Sequence, residues 1–247
     1  MAHQYFAADL EHTELGATIA LQGAEARHAA TVSRARVGER LAVANGRGLR
    51  VGGVVSSVSQ QLVELTVDEI THESDPTPRL WLVQALAKGD RDEMAIQAAT
   101  ELGVSVVLPW QAARSVSRWD AKAEKQRARW QTIVDEAAKQ SLRAFTPEVR
   151  PVCSTADLAK LAEQAQLVVL EPTADHGLVD LVANGTLTTD RDVALLVGPE
   201  GGIAPEELRS LEAAGAQLAR LGAHVLRTST AGPAAIAVLS AQLGHWS

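Results

Sequence analysis

Residues 195–208 read LLVGPEGGIAPEEL. An apolar run stops at Gly198-Pro199, passes through Gly201-Gly202, and resumes at Pro205 with Glu206 and Glu207, a pattern that fits the first turn of a helix. A plain strand-to-helix connection needs only about two to six residues and one capping signal. Three glycines and a proline in that space imply a need for bare backbone. In an open α/β sheet the ligand crevice lies at the carboxyl ends of the strands, so the ends of LVVLEP (167–172), ALLVGP (194–199) and AQLARLG (216–222) are where a site is expected. GPEGG carries no Gly-Lys-Ser/Thr and is not a GxGxxG fingerprint, which argues against a phosphate ligand. Exposed amides and carbonyls can still read a purine edge or a ribose. Taken alone, the glycine pair is equally a tight turn needing positive φ. A second stretch, LGAHVLRTSTAG (221–232), again leaves a strand without clean periodicity and enters an alanine-rich helix.

Outward from this loop, apolar runs alternate with helical patterns: RLWLVQALA, DRDEMAIQAATEL, VSVVLPW, a long helix from about Trp119 to Arg143, AQLVVLEP, DVALLVGP, PEELRSLEAAG, AQLARLG and AGPAAIAVLSAQLG. Continuous apolar strands between helices predict a parallel sheet covered on both faces. Gly103 and Gly215 stand at helix C-cap positions. The first seventy residues differ. ATIAL, RLAVAN, LRVGGVV and QLVELTVDEI alternate with turn signals such as Asn45-Gly46 and Gly52-Gly53, interrupted by one helical stretch, AEARHAATVSRA. HESDPTP, with Pro76 and Pro78, reads as a linker. Two domains are expected, 1–74 a small β-barrel and 75–247 an α/β domain.

The chain has 247 residues, 46% of them hydrophobic, enough for a sizeable core. It contains no run of eighteen apolar residues, and its N-terminal stretch lacks a secretion-signal plan, so no membrane partner is expected and the cytoplasm is the expected compartment. One cysteine, Cys153, can form neither an internal disulfide nor a thiolate zinc site, so no metal is expected. The net charge of −7 would by itself argue against a polyanion partner. Its distribution does not: Arg27, Arg34, Arg36, Arg40, Arg47 and Arg50 face only Glu39, and nine basic residues face five acidic ones between Arg114 and Arg150. Residues 1–87 hold no lysine, so their positive charge is guanidinium, suited to bidentate phosphate contacts. Solvated helix and loop faces would give the same charge runs.

Several motifs together resemble one family. They are GPEGG with its Pro-Glu-Glu helix start, LGAHVLRTSTA, KGDRDEMAIQAATELGV, EAAKQSLR followed by PEVRP, and, more weakly, the spacing of His28, Ser33, Arg34, Gly38 and Arg40. The chain resembles the RsmE-type ribosomal RNA small subunit methyltransferases of the SPOUT superfamily. The resemblance implies an α/β fold: a C-terminal SPOUT trefoil-knot domain with a mainly parallel sheet, plus a small N-terminal PUA-like β-barrel that binds RNA. It implies S-adenosyl-L-methionine as cofactor, a homodimer, and 16S ribosomal RNA or the assembled small subunit as partner. The implied cofactor residues are Leu170, Glu171 and Pro172; Gly198, Pro199, Glu200, Gly201 and Gly202; and Leu221, Gly222, Val225, Leu226 and Arg227. Backbone passing closely around backbone in a knot would explain the bare GPEGG loop.

The reaction so implied is methylation of N3 of a uridine. Its anion develops at the uracil oxygens, where an arginine could stabilise it; Arg227 is the first candidate. Glu136, Gln140 and Arg143 are spaced i, i+4 and i+7, so they would share one stripe of the long helix. By the resemblance Glu136 is a further catalytic candidate. Gln140 and Arg143, with His28, Arg34, Arg36 and Arg114, are candidate RNA contacts. Two departures bear on mechanism. Ser229 stands where relatives carry a glutamate, and a serine is not a general base unaided; Ala223-His224 replaces a Pro-Arg pair. The alternatives are another SPOUT acceptor, a ribose 2′-hydroxyl or a transfer RNA base, or a non-catalytic ribosome-assembly factor.

Overall fold

The computed structural model describes residues 4–246, and the chain falls into two compact units. One comprises the residues up to Asp75 together with Ala138–Thr146; the other comprises Pro76–Ala137 and the residues from Pro147 onward. The segment 138–146, assigned from sequence to the second domain, thus clusters with the first.

The first unit contains β1 (Gln4–Phe6), β2 (Thr18–Gln22), α1 (Gly23–Arg27) running into a π-helical turn over His28–Val32, β3 (Arg40–Ala44), β4 (Leu49–Val58) and β5 (Leu62–His72). The strands form one mixed sheet, ordered β1-β3-β4-β5-β2. Alternation decides its faces: Leu49, Val51 and Val55 of β4 and Val63, Leu65 and Val67 of β5 point inward, with Tyr5, Leu21, Leu41, Val43, Ala26 and Ala29 completing the core. Asn45 makes the β3–β4 turn, its side-chain oxygen accepting from the amides of Arg47 (2.8 Å) and Leu49 (3.1 Å). Gly52-Gly53, expected as a turn, lies inside β4, where the register against β5 shifts. Adjacent glycines in a strand favour such a bulge, which bends the sheet.

The second unit holds β6 (Leu80–Ala85), α2 (Arg91–Glu101), β7 (Val106–Trp110), a short 3-10 turn (Asp120–Lys122), α3 (Ala123–Gln140, its last three residues in the other unit), β8 (Glu148–Val149), α4 (Thr155–Leu161), β9 (Gln166–Leu170), α5 (Leu178–Ala183), β10 (Val193–Val197), α6 (Pro205–Ala213), β11 (Gln217–Ala219) and α7 (Thr228–Gln242). All its strand pairs are parallel, in the order β11-β9-β10-β6-β7-β8. Both faces are buried. Leu80 and Leu82 of β6 and Val193, Leu195 and Val197 of β10 pack in one cluster with Ile96, Trp130, Val134, Leu178, Ile236 and Leu239 from the helices. Trp81, Val83, Ala194 and Leu196 face the other way, onto Leu158, Leu161 and Leu211. Each fully buried leucine contributes about 1.5–3 kcal/mol, so two apolar layers fix the sheet between its helices. The long helix is shorter than expected: it ends at Gln140, with Leu142 left-handed (φ 57°) and the Arg143 amide donating to the Ala138 carbonyl at 3.0 Å.

Candidate functional site

Three strand-end loops of the second unit meet around one cavity of about 450 Å³. Leu170, Glu171 and Pro172 follow β9; Gly198, Pro199, Glu200, Gly202 and Ile203 follow β10; Arg220, Leu221, Gly222, His224, Val225, Leu226 and Arg227 follow β11, with Thr228 and Ala231 of α7 closing one side. These are the loops that the crevice rule for parallel sheets points to. Of the thirteen residues expected around a cofactor, twelve line this cavity. Gly201 does not: it faces outward, its carbonyl accepting from Arg114 Nη1 at 3.0 Å.

The backbone of the β10 loop explains its composition. Pro199 through Gly202 form a turn closed by the Gly202 amide on the Pro199 carbonyl (2.9 Å), and Gly202 takes φ 73°. At Gly198 the constraint is room: a Cβ there would sit 2.6 Å from Ile203 Cγ1. Glu207, the second glutamate of Pro-Glu-Glu, is buried and has a structural task. Its carboxylate accepts from the Ala204 amide (3.2 Å), the Ala113 amide (2.9 Å) and Thr155 Oγ1 (2.6 Å), capping α6 and pinning the segment after β7.

The loops are joined by a buried relay. Gln84, at the end of β6, donates from Nε2 to Thr228 Oγ1 (2.9 Å), and Thr228 donates to the Gly198 carbonyl (3.0 Å). Gln84 and Thr228 are 0% and 7% exposed, so this is a low-dielectric tie between the start of α7 and the β10 loop. On the other side, the Glu171 amide donates to the Ala219 carbonyl (3.0 Å), the Arg220 amide to the His176 carbonyl (2.9 Å), and the Arg220 guanidinium to the carbonyls of Ala174 and Asp175. At the rim, Glu200 Oε1 accepts from the Lys88 amide (3.2 Å) and Arg91 Nη1 (3.0 Å). Partial burial pushes that carboxyl up, but hydrogen bonds from its own amide, the Lys88 amide and Arg91 outweigh it and hold it below the usual carboxylate range. The rim is therefore ionised at neutral pH, and the contact is lost only as pH falls through that depressed value.

The profile of the RNA methyltransferase domain family matches residues 73–240. The ribosomal RNA small subunit methyltransferase E of Mycobacterium bovis is 40% identical over 94% of this chain and 90% of that protein; the Bacillus subtilis protein of the same name is 32% identical over 94% and 93%. The chain belongs to the ribosomal RNA small subunit methyltransferase E family. Among solved structures, the methyltransferase E of Neisseria gonorrhoeae bound to S-adenosyl methionine superposes with a TM-score of 0.86 at 27% identity, covering 98% of each chain. A putative methyltransferase of Legionella pneumophila, in complex with SAM, gives 0.83 at 27% identity over 98% of both. The α/β architecture is thus SPOUT-like, as the sequence implied.

Of the catalytic and RNA-contact candidates in this methyltransferase E family member, Arg227 lines the cavity and the others do not. Arg227 is on the wall, exposed and without an ion pair among the described residues. Glu136 is exposed on α3 and does not line the cavity. Glu136 and Gln140 share the helix at i, i+4 as expected, but Arg143 does not join their stripe, because the helix stops at Gln140 and Leu142 reverses the chain before it. Arg143 is half-buried in the first unit; desolvation lowers its pKa to about 10 despite the nearby Asp75 and Glu73. His28 is half-buried against Tyr5, ring centroids 5.9 Å apart. Arg34, at φ 55°, and Arg36 are exposed, whereas Arg40 pairs with Asp68 and Glu69 and Arg50 with Glu73. Ser229 and Cys153 do not line the cavity, and burial pushes the Cys153 thiol up to about 12. Sequence reasoning missed Gln84, Thr228 and Arg91. A polar residue inside the apolar run RLWLVQALA was the available signal for Gln84; Arg91 and Thr228 stand within the motifs KGDRDEMAIQAATELGV and LGAHVLRTSTA, where nothing singles out either one.

Proposed function

We propose that the chain transfers a methyl group from S-adenosyl-L-methionine to N3 of a uridine in 16S ribosomal RNA, as a homodimer, with the cavity between the β9, β10 and β11 loops as the cofactor site. The carrying observation is that cavity: three backbone-rich strand ends enclosing one space of a size typical for small-ligand sites. Its residues fit the cofactor. Leu170, Ile203, Leu221, Leu226 and Ala231 offer an apolar wall for adenine, the glycine-rich loops offer peptide groups to its polar edge, and ionised Glu200 suits a ligand carrying a sulfonium. At Gly198 a Cβ would collide with Ile203, itself on the cavity wall, so the shape of that wall depends on the missing side chain. Relatives of the same family solved with SAM bound add to this support.

When bound, the cofactor supplies a methyl already activated by its sulfonium. The protein's part is alignment, worth up to about 7–11 kcal/mol when two reactants are held in register. The relay from Gln84 through Thr228 keeps the Gly198 carbonyl fixed while substrate enters. Arg227, exposed on the wall and without an ion pair among the described residues, is suited to negative charge developing at a uracil oxygen. No carboxylate stands at residue 229, so the N3 proton does not leave through that position. The first unit, with Arg34 and Arg36 exposed, carries the RNA contacts in this reading, as a PUA-like domain would. Exposed Val116, Val225 and Leu226 are apolar surface that a second copy would cover.

The test is identification of the acceptor. Small subunits from cells lacking this activity are incubated with the protein and isotopically labelled cofactor, digested, and the nucleosides resolved by mass spectrometry. Label in 3-methyluridine at one position is expected; label in a 2′-O-methylated nucleoside, or none, contradicts the reading.

A further inference from the structure

The face of the first-unit sheet that is turned away from its core carries a built depression. Strand register sets Gln4 of β1, Ala42 of β3, Gly52 of β4 and Glu69 of β5 in one row across four strands. Side chains two residues apart share a face, so Arg40, Arg50 and Thr71 flank that row on the same side. With alanine and glycine at its centre, the row forms a trough of about 170 Å³, lined also by Leu41 and by Leu142, the left-handed residue after α3. The Arg40–Glu69 ion pair (2.7 Å) closes it beside Gly52, where a Cβ would meet Arg40 Nη2 at 3.0 Å and Glu69 at 3.2 Å. Gln4 lies at its edge, 6% exposed, with an Oε1 that has no hydrogen-bond partner among the described residues. Neither the cavity of the second unit nor the expected contacts at His28, Arg34 and Arg36 account for this arrangement.

We propose that this trough receives one unpaired nucleobase of the RNA substrate, an inference that rests on the RNA-methylation reading and names a recognition site for it. Guanidinium and hydroxyl donors stand beside carboxylate and amide acceptors. That mixture matches the edge of a heterocycle, which both donates and accepts, whereas Glu69 repels a phosphate. The small central residues leave room for a flat ring against apolar Ala42 and Leu142, and sequence-specific readout of RNA targets bases free of a helix. Exposed Arg34 and Arg36 of the same unit attract the backbone without reading it.

The test uses the full chain with two probes, a small-subunit ribosomal RNA transcript and a fully paired RNA duplex. Ala42→Leu fills the trough without altering charge, and Thr71→Val removes one hydroxyl at nearly constant shape. Both are expected to weaken transcript binding, Ala42→Leu by about tenfold, with an unchanged slope against salt, unchanged duplex binding and unchanged affinity for S-adenosylmethionine. Transcript binding at wild-type strength by either variant, with its thermal melt intact, overturns the trough. So does an equal loss for transcript and duplex. A wild-type chain that binds cofactor but neither RNA overturns the functional reading together with the trough, and is told apart by the wild-type measurement alone.

Discussion

Arg227 and Glu200 bring opposite charges to one cavity, and their surroundings separate their roles. Glu200 is committed, its oxygen held by the Lys88 amide and by Arg91. Arg227 has no ion pair among the described residues and stands at the N-cap of α7, where the chain turns from loop to helix. A cation left unpaired on the wall is available to a substrate. Arg227→Ala is therefore expected to lower kcat by about 100-fold, the range for losing one donor to a developing oxyanion, while the KM for S-adenosylmethionine changes less. Steady-state rates at saturating RNA would check this, and an equal rise in cofactor KM with kcat intact would move Arg227 from chemistry to cofactor binding.

At the scale of elements, the site depends on how α7 is fastened. Gly232 lets it approach β6, since a Cβ there would lie 2.8 Å from Leu82 Cδ1, and Thr228 then ties its first turn to Gln84 and Gly198. Thr228→Val keeps the shape and removes both bonds, leaving a buried amide donor and a carbonyl unsatisfied. We expect a loss of about 1–3 kcal/mol, read as a lower denaturation midpoint at constant m-value, with weaker cofactor binding. Wild-type stability in this variant would show that the relay contributes nothing. Period and punctuation made most of these elements legible. VALLV and LVVL are too short and too uniformly apolar for surface helices, and both proved to be central parallel strands. Gly103 and Gly215 end α2 and α6 at positive φ, as C-cap glycines do. What escaped was tertiary. The two-residue β8 has no period to detect, and the stop after Gln140 depends on a non-glycine left-handed residue, Leu142. The glycine pair at 52–53 signals a turn in sequence, but cross-strand pairing made it a bulge.

At the scale of the molecule, the acidic total conceals a local surplus of arginine. In the first unit Arg40 and Arg50 are neutralised by Asp68, Glu69 and Glu73, while Arg34 and Arg36 are exposed and unpaired among the described residues. Replacing both by alanine is expected to weaken ribosomal RNA binding and to reduce the slope of log affinity against log salt by about 1.5, leaving cofactor affinity intact. Filter binding across a salt series measures it; an unchanged slope would remove these two residues from the RNA contacts. Charge counting in sequence found the arginine-rich segment, but only packing shows which of its members are already paired. The cavity was legible for a related reason. The crevice rule names strand ends, and backbone walls announce themselves as glycine and proline, whereas the tie that holds those walls, between Gln84 and Thr228, joins residues 144 apart and has no local signal.

The central claim is that the backbone of the β10 loop cradles S-adenosylmethionine, and two glycines three residues apart test it. Gly198 has no room for a Cβ, while a Cβ on Gly201 would meet only Arg114, at 3.5 Å and outside the cavity. Calorimetric titration of the cofactor into the wild-type chain, Gly198→Ala and Gly201→Ala should give one site per chain in the wild type, little change in Gly201→Ala, and at least about a tenfold loss in Gly198→Ala, the equivalent of 1.4 kcal/mol. Wild-type affinity in Gly198→Ala, or no binding to the wild-type chain, would contradict the account.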